Sequence, residues 1–261
     1  MLLRVRTDVD QADWLVLTSV ENRNALSERL LSQLIEQVSL ATSSEARVLV
    51  LDHEGKAFCS GVDLRERGRA GEEGVHSGLL ADLLRMLWSF PKPVIARVDG
   101  LVRGGGMAML ACSDFVVAGE ASNFGYSEVR VGVIPALVTA VTFPKLSTGL
   151  VGPWMMSGEA FDALEARRIG LVTRTVPTGT SVTVEPELAA LLRGGPSSVL
   201  QTKALLRRPA DAQVRAAIDE MEQLSHAVFA TDEAQAGMAA FSERRAAPWI
   251  PVHPAITATT P

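Results

Sequence analysis

Three consecutive glycines, Gly104 to Gly106, sit between an extended run ending at Val98 and an apolar, helix-like run ending at Cys112. Glycine suits backbone that turns sharply or lets another group come very close. If a helix starts here, its first amides lack internal partners and point at whatever fills the loop. The stretch is then a backbone-amide site for a partial or full negative charge, or else a tight strand-to-helix turn. Either way it demands a strand, a glycine turn and a helix in succession, and the rest of the chain is read around that unit.

Upstream, residues 2–5 and 14–18 pattern as two short strands joined by a polar turn. Ser27 is placed to cap a helix whose Leu30, Leu31, Leu34, Ile35 and Val38 share one face. Residues 47–51 (RVLVL) form a buried strand, and 65–78 mix charge with glycine without periodicity, as a mobile surface segment would. An amphipathic helix over 79–88 is stopped by Pro91 and Pro93, and strands follow at 94–98 and 115–118. Strand and helix alternate, which predicts an α/β protein with a largely parallel sheet. The second half is helical in pattern, at 136–146, 153–156, 161–169, 201–208, 212–230 and 232–246, with one strand at 171–176. Thr231 or Asp232 is a cap for the last helix. The expected organisation is a core over 1–190, a C-terminal helical region over 191–247 and a fraying tail over 248–261.

Several chemistries are excluded. The chain of 261 residues carries a net charge of −5, which argues against a broad nucleic-acid footprint. No apolar run approaches the ~20 residues of a membrane span, and the acids of MLLRVRTDVD fall where a signal peptide would be apolar. A cytoplasmic protein without a membrane partner is expected. Cys59 and Cys112 make no disulfide framework and pattern as small buried residues; His53, His76, His226 and His253 lack ligand spacing, so no metal site is expected. His53 falls in what patterns as a surface turn. The glycines are not followed by Lys and Ser or Thr, as a phosphate loop requires, and neither a G-x-G-x-x-G nor a G-x-S-x-G motif occurs where it would be needed.

One constellation survives. Residues 58–64 (FCSGVDL) follow the 47–51 strand, and residues 103–107 (RGGGM) follow the 94–98 strand. If those strands are neighbours, both loops leave the same carboxyl edge, and one amide from each could grip a single oxygen. Residues 124–130 (FGYSEVR) set Glu128 among aromatic and apolar side chains. Burial there would raise its pKa and suit it to proton transfer.

Together these residues resemble the crotonase superfamily, the enoyl-CoA hydratase/isomerase family. The resembling segments are 22–26 (NRNAL), 55–64 (GKAFCSGVDL), 91–106, 158–172 and 229–245, in family order across nearly the whole chain. The resemblance implies a crotonase-like (ClpP/crotonase) fold, with repeated ββα units forming a spiral core. The C-terminal helices would join subunits into a homotrimer or a dimer of trimers. It also implies that the Val62 and Gly105 amides hold the thioester oxygen of an acyl-CoA, while Glu128 exchanges a proton beside it. Coenzyme A, present only as part of the substrate, would be met by Arg23, Ala25, Lys56, Ala57, Phe58, Arg65 and Gly104. Phe241 and Arg244 would reach it from the C-terminal helix. The acyl chain would lie near 65–78 and the 79–88 helix. Ala108 stands where hydratases of the family commonly carry a second glutamate that activates water, and a glutamate restored there would be expected to raise hydration. Met107 and Met109 beside it suggest an apolar pocket. An enoyl-CoA hydratase working with one glutamate is the leading expectation. A double-bond isomerase, or an acyl-CoA-binding homologue with little catalysis, is the alternative.

Overall fold

In the computed structural model, which describes residues 2–7, 11–67 and 73–251, the chain opens with an antiparallel pair, β1 (Leu3–Thr7) and β2 (Ala12–Leu17). Every residue of β2 is buried, so this strand lies inside a sheet covered on both faces. Helix α1 (Glu28–Ser43) begins where the pattern placed it: the Ser27 hydroxyl accepts the Leu30 amide at 3.2 Å, and Leu30, Leu31, Leu34 and Val38 are buried. Ser27→Ala would leave that amide unpaired, costing about 1 kcal/mol. A melting temperature lower by about 2–4 °C is the expected result in differential scanning calorimetry.

A ββα unit then recurs. The first comprises β3 (Val48–His53), β4 (Ala57–Cys59), a short α2 (Leu64–Arg67) and α3 (Glu73–Ser89). The second comprises β5 (Val94–Val98), β6 (Leu101–Arg103) and α4 (Gly105–Cys112). The third runs through β7 (Phe115–Gly119), β8 (Asn123–Gly125), a 3-10 turn at Glu128–Val131, α5 (Ala136–Thr142) and α6 (Thr148–Ser157). After it come β9 (Ala160–Asp162), α7 (Ala163–Arg168) and β10 (Arg174–Val176). The leading strand of each unit enters a six-stranded sheet of order β1-β2-β3-β5-β7-β10, parallel except for β1. The second strand enters a separate four-stranded sheet of order β4-β6-β8-β9. The alternation in the sequence predicted one sheet. The second escaped because its strands have three residues each, too few to show a period.

Helix α4 is buried along all eight residues, which fits its continuous apolar sequence. Its C-terminal end is met by cations. Arg207 donates to the Cys112 carbonyl, Lys145 donates to the Ser113 carbonyl, and Asp114 is paired with Lys203 and Arg207. Cations at the negative end of a helix are favourable. Burial and the neighbouring Arg207 push the Lys145 ammonium down to about 8.

Four expectations change. Part of 65–78 is helical, since α2 covers Leu64–Arg67 and α3 starts at Glu73; residues 68–72 lie outside the described residues. The boundary at 190/191 falls inside α8 (Glu185–Arg193). The helices that follow are α9 (Pro196–Arg207), α10 (Asp211–Phe229) and α11 (Asp232–Ser242), the last capped by Thr231. Val214 and Ile218 of α10 belong to the main core, so the C-terminal region shares its packing with the sheets. His53 is not in a surface turn: it ends β3, is buried, and accepts the Asp99 amide on Nε2 while its ring meets Phe58 edge-on. Most of the expected tail, 252–261, lies outside the described residues. Cys59 and Cys112 are fully buried, and burial pushes both thiols up to about 12, as suits inert packing residues. Among the described residues, no helix is long and apolar enough to cross a membrane, and no cluster of His, Cys, Asp or Glu could hold a metal ion.

Candidate functional site

The two glycine-bearing loops do leave neighbouring strands. β3 pairs with β5 in parallel, and β4 pairs with β6, so residues 60–63 and 104–106 emerge side by side. Gly61 (φ 97°) and Gly104 (φ 51°) take backbone conformations that L side chains rarely adopt. A Cβ on Gly104 would lie 3.4 Å from the Gly61 Cα, so the two main chains are in contact. Val62 forms an isolated parallel bridge with Leu26: the Leu26 amide donates to Gly61 O at 2.8 Å, and the Asp63 amide donates to Leu26 O at 3.2 Å. Such pairing turns the N–H of Val62 itself away from Leu26. Gly105 is the first residue of α4, whose amide has no acceptor within the helix, and the residue before it offers no side-chain cap. Among the described residues, neither the Val62 nor the Gly105 amide donates to a backbone carbonyl outside the regular elements. Both residues line one cavity of about 630 Å³.

Glu128 enters this cavity from the turn after β8. The residue as a whole is half-buried, and its Oε2 is shut away from solvent. Oε1 lies 3.5 Å from where a Gly104 Cβ would be, and Oε2 is buried without a hydrogen-bond partner. Removal from water pushes this carboxyl up to about 7, against a weaker opposing effect from its own backbone amide. The aromatic residues that precede it are anchored by Phe161, which stacks on Phe124 and tilts against Tyr126. Among the described residues, two amides without a backbone acceptor outside the regular elements thus border one cavity, together with a carboxyl whose burial raises its pKa to about 7. An oxygen seated on the amides would be stabilised as it gained negative charge, and the carboxylate could exchange a proton with the adjoining atom.

Of the other residues expected from the sequence, Arg23, Ala25, Arg65, Gly104, Phe241 and Arg244 line the same cavity. Lys56, Ala57 and Phe58 do not. Ala57 and Phe58 are buried in β4, and their polar groups serve the fold: Ala57 O accepts the Asn24 side chain, and Lys56 O accepts the Leu101 amide. This segment, expected to meet a ligand, therefore lies apart from the cavity lining. So do Met107, Ala108 and Met109, beside which an apolar pocket was expected: all three are fully buried in the core and none lines the cavity. Its apolar floor comes instead from Leu80, Val133, Ala136, Leu137, Val138 and Phe229, all nearly buried. These were missed because apolar residues at helical spacing look alike whether they face a core or a cavity. The one local signal is Ile134-Pro135, which ends the preceding turn and sets 136–138 at a helix start. Around the mouth stand the exposed Arg23, Arg65, Arg130 and Arg244, with Arg130 paired to Glu159. Polar cation-bearing mouth and apolar floor together fit a ligand with an anionic, polar end and an apolar end.

Comparison with known proteins agrees with this geometry. The family model described as enoyl-CoA hydratase/isomerase matches residues 15–251. A 2,3-dehydroadipyl-CoA hydratase of Escherichia coli is 30% identical over 234 residues, which cover 88% of this chain and 92% of that protein. An enoyl-CoA hydratase of Mycobacterium tuberculosis is 30% identical over 232 residues, covering 86% and 87% respectively. A crystal structure of an enoyl-CoA hydratase from Mycobacterium avium superposes with a TM-score of 0.81 at 34% identity, covering 95% of this chain and 99% of that one. The architecture of paired sheets, recurring ββα units and a helical C-terminal region is the crotonase-like fold of those structures.

Proposed function

Because the chain belongs to the enoyl-CoA hydratase/isomerase family, we propose that it moves a proton next to the thioester of an enoyl-CoA, with Glu128 as its acid/base. The observation that supports this most is the buried Glu128 carboxyl, raised to about 7 and set against the Gly104 backbone. In this reading the thioester oxygen accepts the Val62 and Gly105 amides. Ionised Glu128 takes a proton from the carbon between the thioester and the double bond of a 3-enoyl-CoA. Charge passes to the oxygen as an enolate, where fixed amide donors hold it; losing one such donor typically costs on the order of 10²-fold in rate. Glu128 then returns the proton at the far end of the conjugated system, and the double bond has moved into conjugation. The apolar floor takes the acyl chain, and the arginine-bearing mouth takes the polar end of coenzyme A.

Double-bond isomerisation needs one carboxyl; of the three that line the cavity, Glu21 and Asp63 accept hydrogen bonds from Ser19, Asn22 and the Arg65 amide, whereas Glu128 Oε2 is buried without a partner. Hydration is the second reading, favoured by the names of the relatives. There protonated Glu128 would deliver its proton to the α-carbon while water adds its oxygen at the β-carbon and gives up a proton that restores the acid form of Glu128. The two differ in the sign of their pH dependence. Isomerisation starts from ionised Glu128, so kcat/KM for a 3-enoyl-CoA is expected to fall as pH drops through about 7. Hydration of crotonyl-CoA starts from protonated Glu128, so its kcat/KM is expected to fall as pH rises through the same value. Initial rates on both substrates across pH 5–9, roughly two units either side of that pKa, separate the readings. If neither substrate turns over while acyl-CoA still binds, the enzyme reading is lost and a binding homologue remains. Assembly as a trimer or a dimer of trimers is part of the same proposal. Leu205 and Leu206 of α9 and Phe241 of α11 are exposed apolar residues consistent with it, and light scattering tests it.

A further inference from the structure

Leu26 is fully buried and lines none of the cavity, yet it touches both loops that carry the two amides. Its main chain brackets Val62 through the bonds to Gly61 O and from the Asp63 amide. Its side chain lies against the second loop, since a Cβ on Gly105 would come within 2.6 Å of Leu26 Cδ1. One residue therefore fixes the direction of the first donor and limits the approach of the second.

Leu26 is itself firmly anchored. Two residues earlier, Asn24 is buried in a left-handed conformation with φ 54°. Its Nδ2 donates to Glu54 O at 3.2 Å and to Ala57 O at 2.8 Å, tying the segment to the strand that leads into the first loop. The Ser60 amide donates to Arg23 O, which adds a third tie between the same two pieces of chain. The Glu128 carboxylate, its Oε2 buried without a partner, faces the same junction through Gly104. An error in donor spacing here would thus fall beside the reacting atoms.

We propose that Leu26 is a positioning residue that sets the separation of the Val62 and Gly105 amide donors. This rests on the reading of those amides as the thioester-oxygen grip. A donor displaced by a fraction of an ångström still permits binding, because most contacts with the ligand lie elsewhere. It weakens the hold on the oxygen when charge develops, which lowers kcat more than it raises KM.

The test uses the full-length protein with butyryl-CoA as an unreactive probe and a 3-enoyl-CoA as substrate. Infrared difference spectroscopy of carbonyl-labelled butyryl-CoA reads how strongly the bound thioester is polarised. Wild type is expected to lower the carbonyl stretch. Leu26→Ala is expected to lose most of that shift and roughly 10²-fold in kcat, while its Kd for butyryl-CoA changes by less than about threefold. Leu26→Val, which keeps most of the volume, should fall between. Leu34→Ala, at an equally buried site further along α1, controls for general loss of core packing and should keep both the shift and kcat. A wild-type shift and kcat in Leu26→Ala, or in Leu26→Val if the first variant does not fold, overturns the proposal. Equal losses in the Leu26 and Leu34 variants also overturn it, because they mark a packing role alone. Failure of wild type to bind butyryl-CoA, or binding without any shift, instead overturns the thioester grip itself and the role of Leu26 with it.

Discussion

Glu128→Gln is expected to abolish turnover of enoyl-CoA substrates while leaving acyl-CoA binding nearly intact. Glutamine keeps the shape of the side chain but can neither accept nor release the proton. General acid–base groups typically contribute 10²–10⁴-fold, and a reaction in which Glu128 alone moves the proton should lose about the upper end of that range. Binding should persist because the amides, the apolar floor and the arginines at the mouth are untouched. Full activity in the variant would remove Glu128 from the chemistry. The same substitution carries a stability signature of opposite sign. Burial raises this carboxyl from 4.5 to about 7, so the folded state binds the proton more tightly than the unfolded chain. The resulting stabilisation is fully present below the unfolded value and is lost as pH rises through about 7. Glutamine stays neutral throughout. At pH 8 the variant is therefore expected to be more stable than wild type, on the order of 3 kcal/mol, and near pH 4 the two should converge. Urea unfolding at the two pH values reads this directly. Such an exchange of stability for function is what a buried, unpartnered ionisable group imposes.

Ala108→Glu is expected to destabilise the protein without raising hydration. The family resemblance alone suggested the reverse, that restoring a glutamate at this position would restore a base for water. The burial of Ala108 argues against that outcome for the single substitution. Ala108 has no exposed surface, lies inside the main core and does not reach the cavity. Leu137 and Val138, at the start of α5, line the cavity, and α4 packs against that helix. A carboxylate at 108 would be buried among apolar side chains with no cation assigned to it. An uncompensated buried charge costs about 3–5 kcal/mol. Urea unfolding of Ala108→Glu beside a crotonyl-CoA hydration assay checks both halves. A stable variant with faster hydration would show that this side chain does face the substrate.

Much of the architecture was legible because it is written in short-range patterns. The Ser27 cap, the apolar stripe of α1 and the prolines ending α3 each depend on residues within a few positions of one another, and all were located in advance. The second sheet was not, since its strands are defined by pairing across about 40 residues of intervening chain, as between Ala57 and Leu101, rather than by any run of their own. Likewise His53 carries no sequence mark that it will be buried against Phe58 and Asp99.

The site divides in the same way. The sequence by itself determined the candidate parts: two glycine loops able to present free amides, and one glutamate set among aromatic and apolar neighbours. Those properties follow from residue type and local order, because glycine best tolerates the positive-φ backbone at 61 and 104 and a carboxyl is a group able to exchange a proton. The tertiary structure alone decided how they combine. Parallel pairing of β3 with β5 and of β4 with β6 set the loops against each other, and Leu26 joined them. Removal of the Glu128 carboxylate from water, by elements distant in sequence, moved its pKa toward neutrality. The packing of α4 placed Ala108 in the core and left the cavity floor to α3, Val133, α5 and α10. Distance and solvation are properties of the folded whole, and a residue's identity does not carry them.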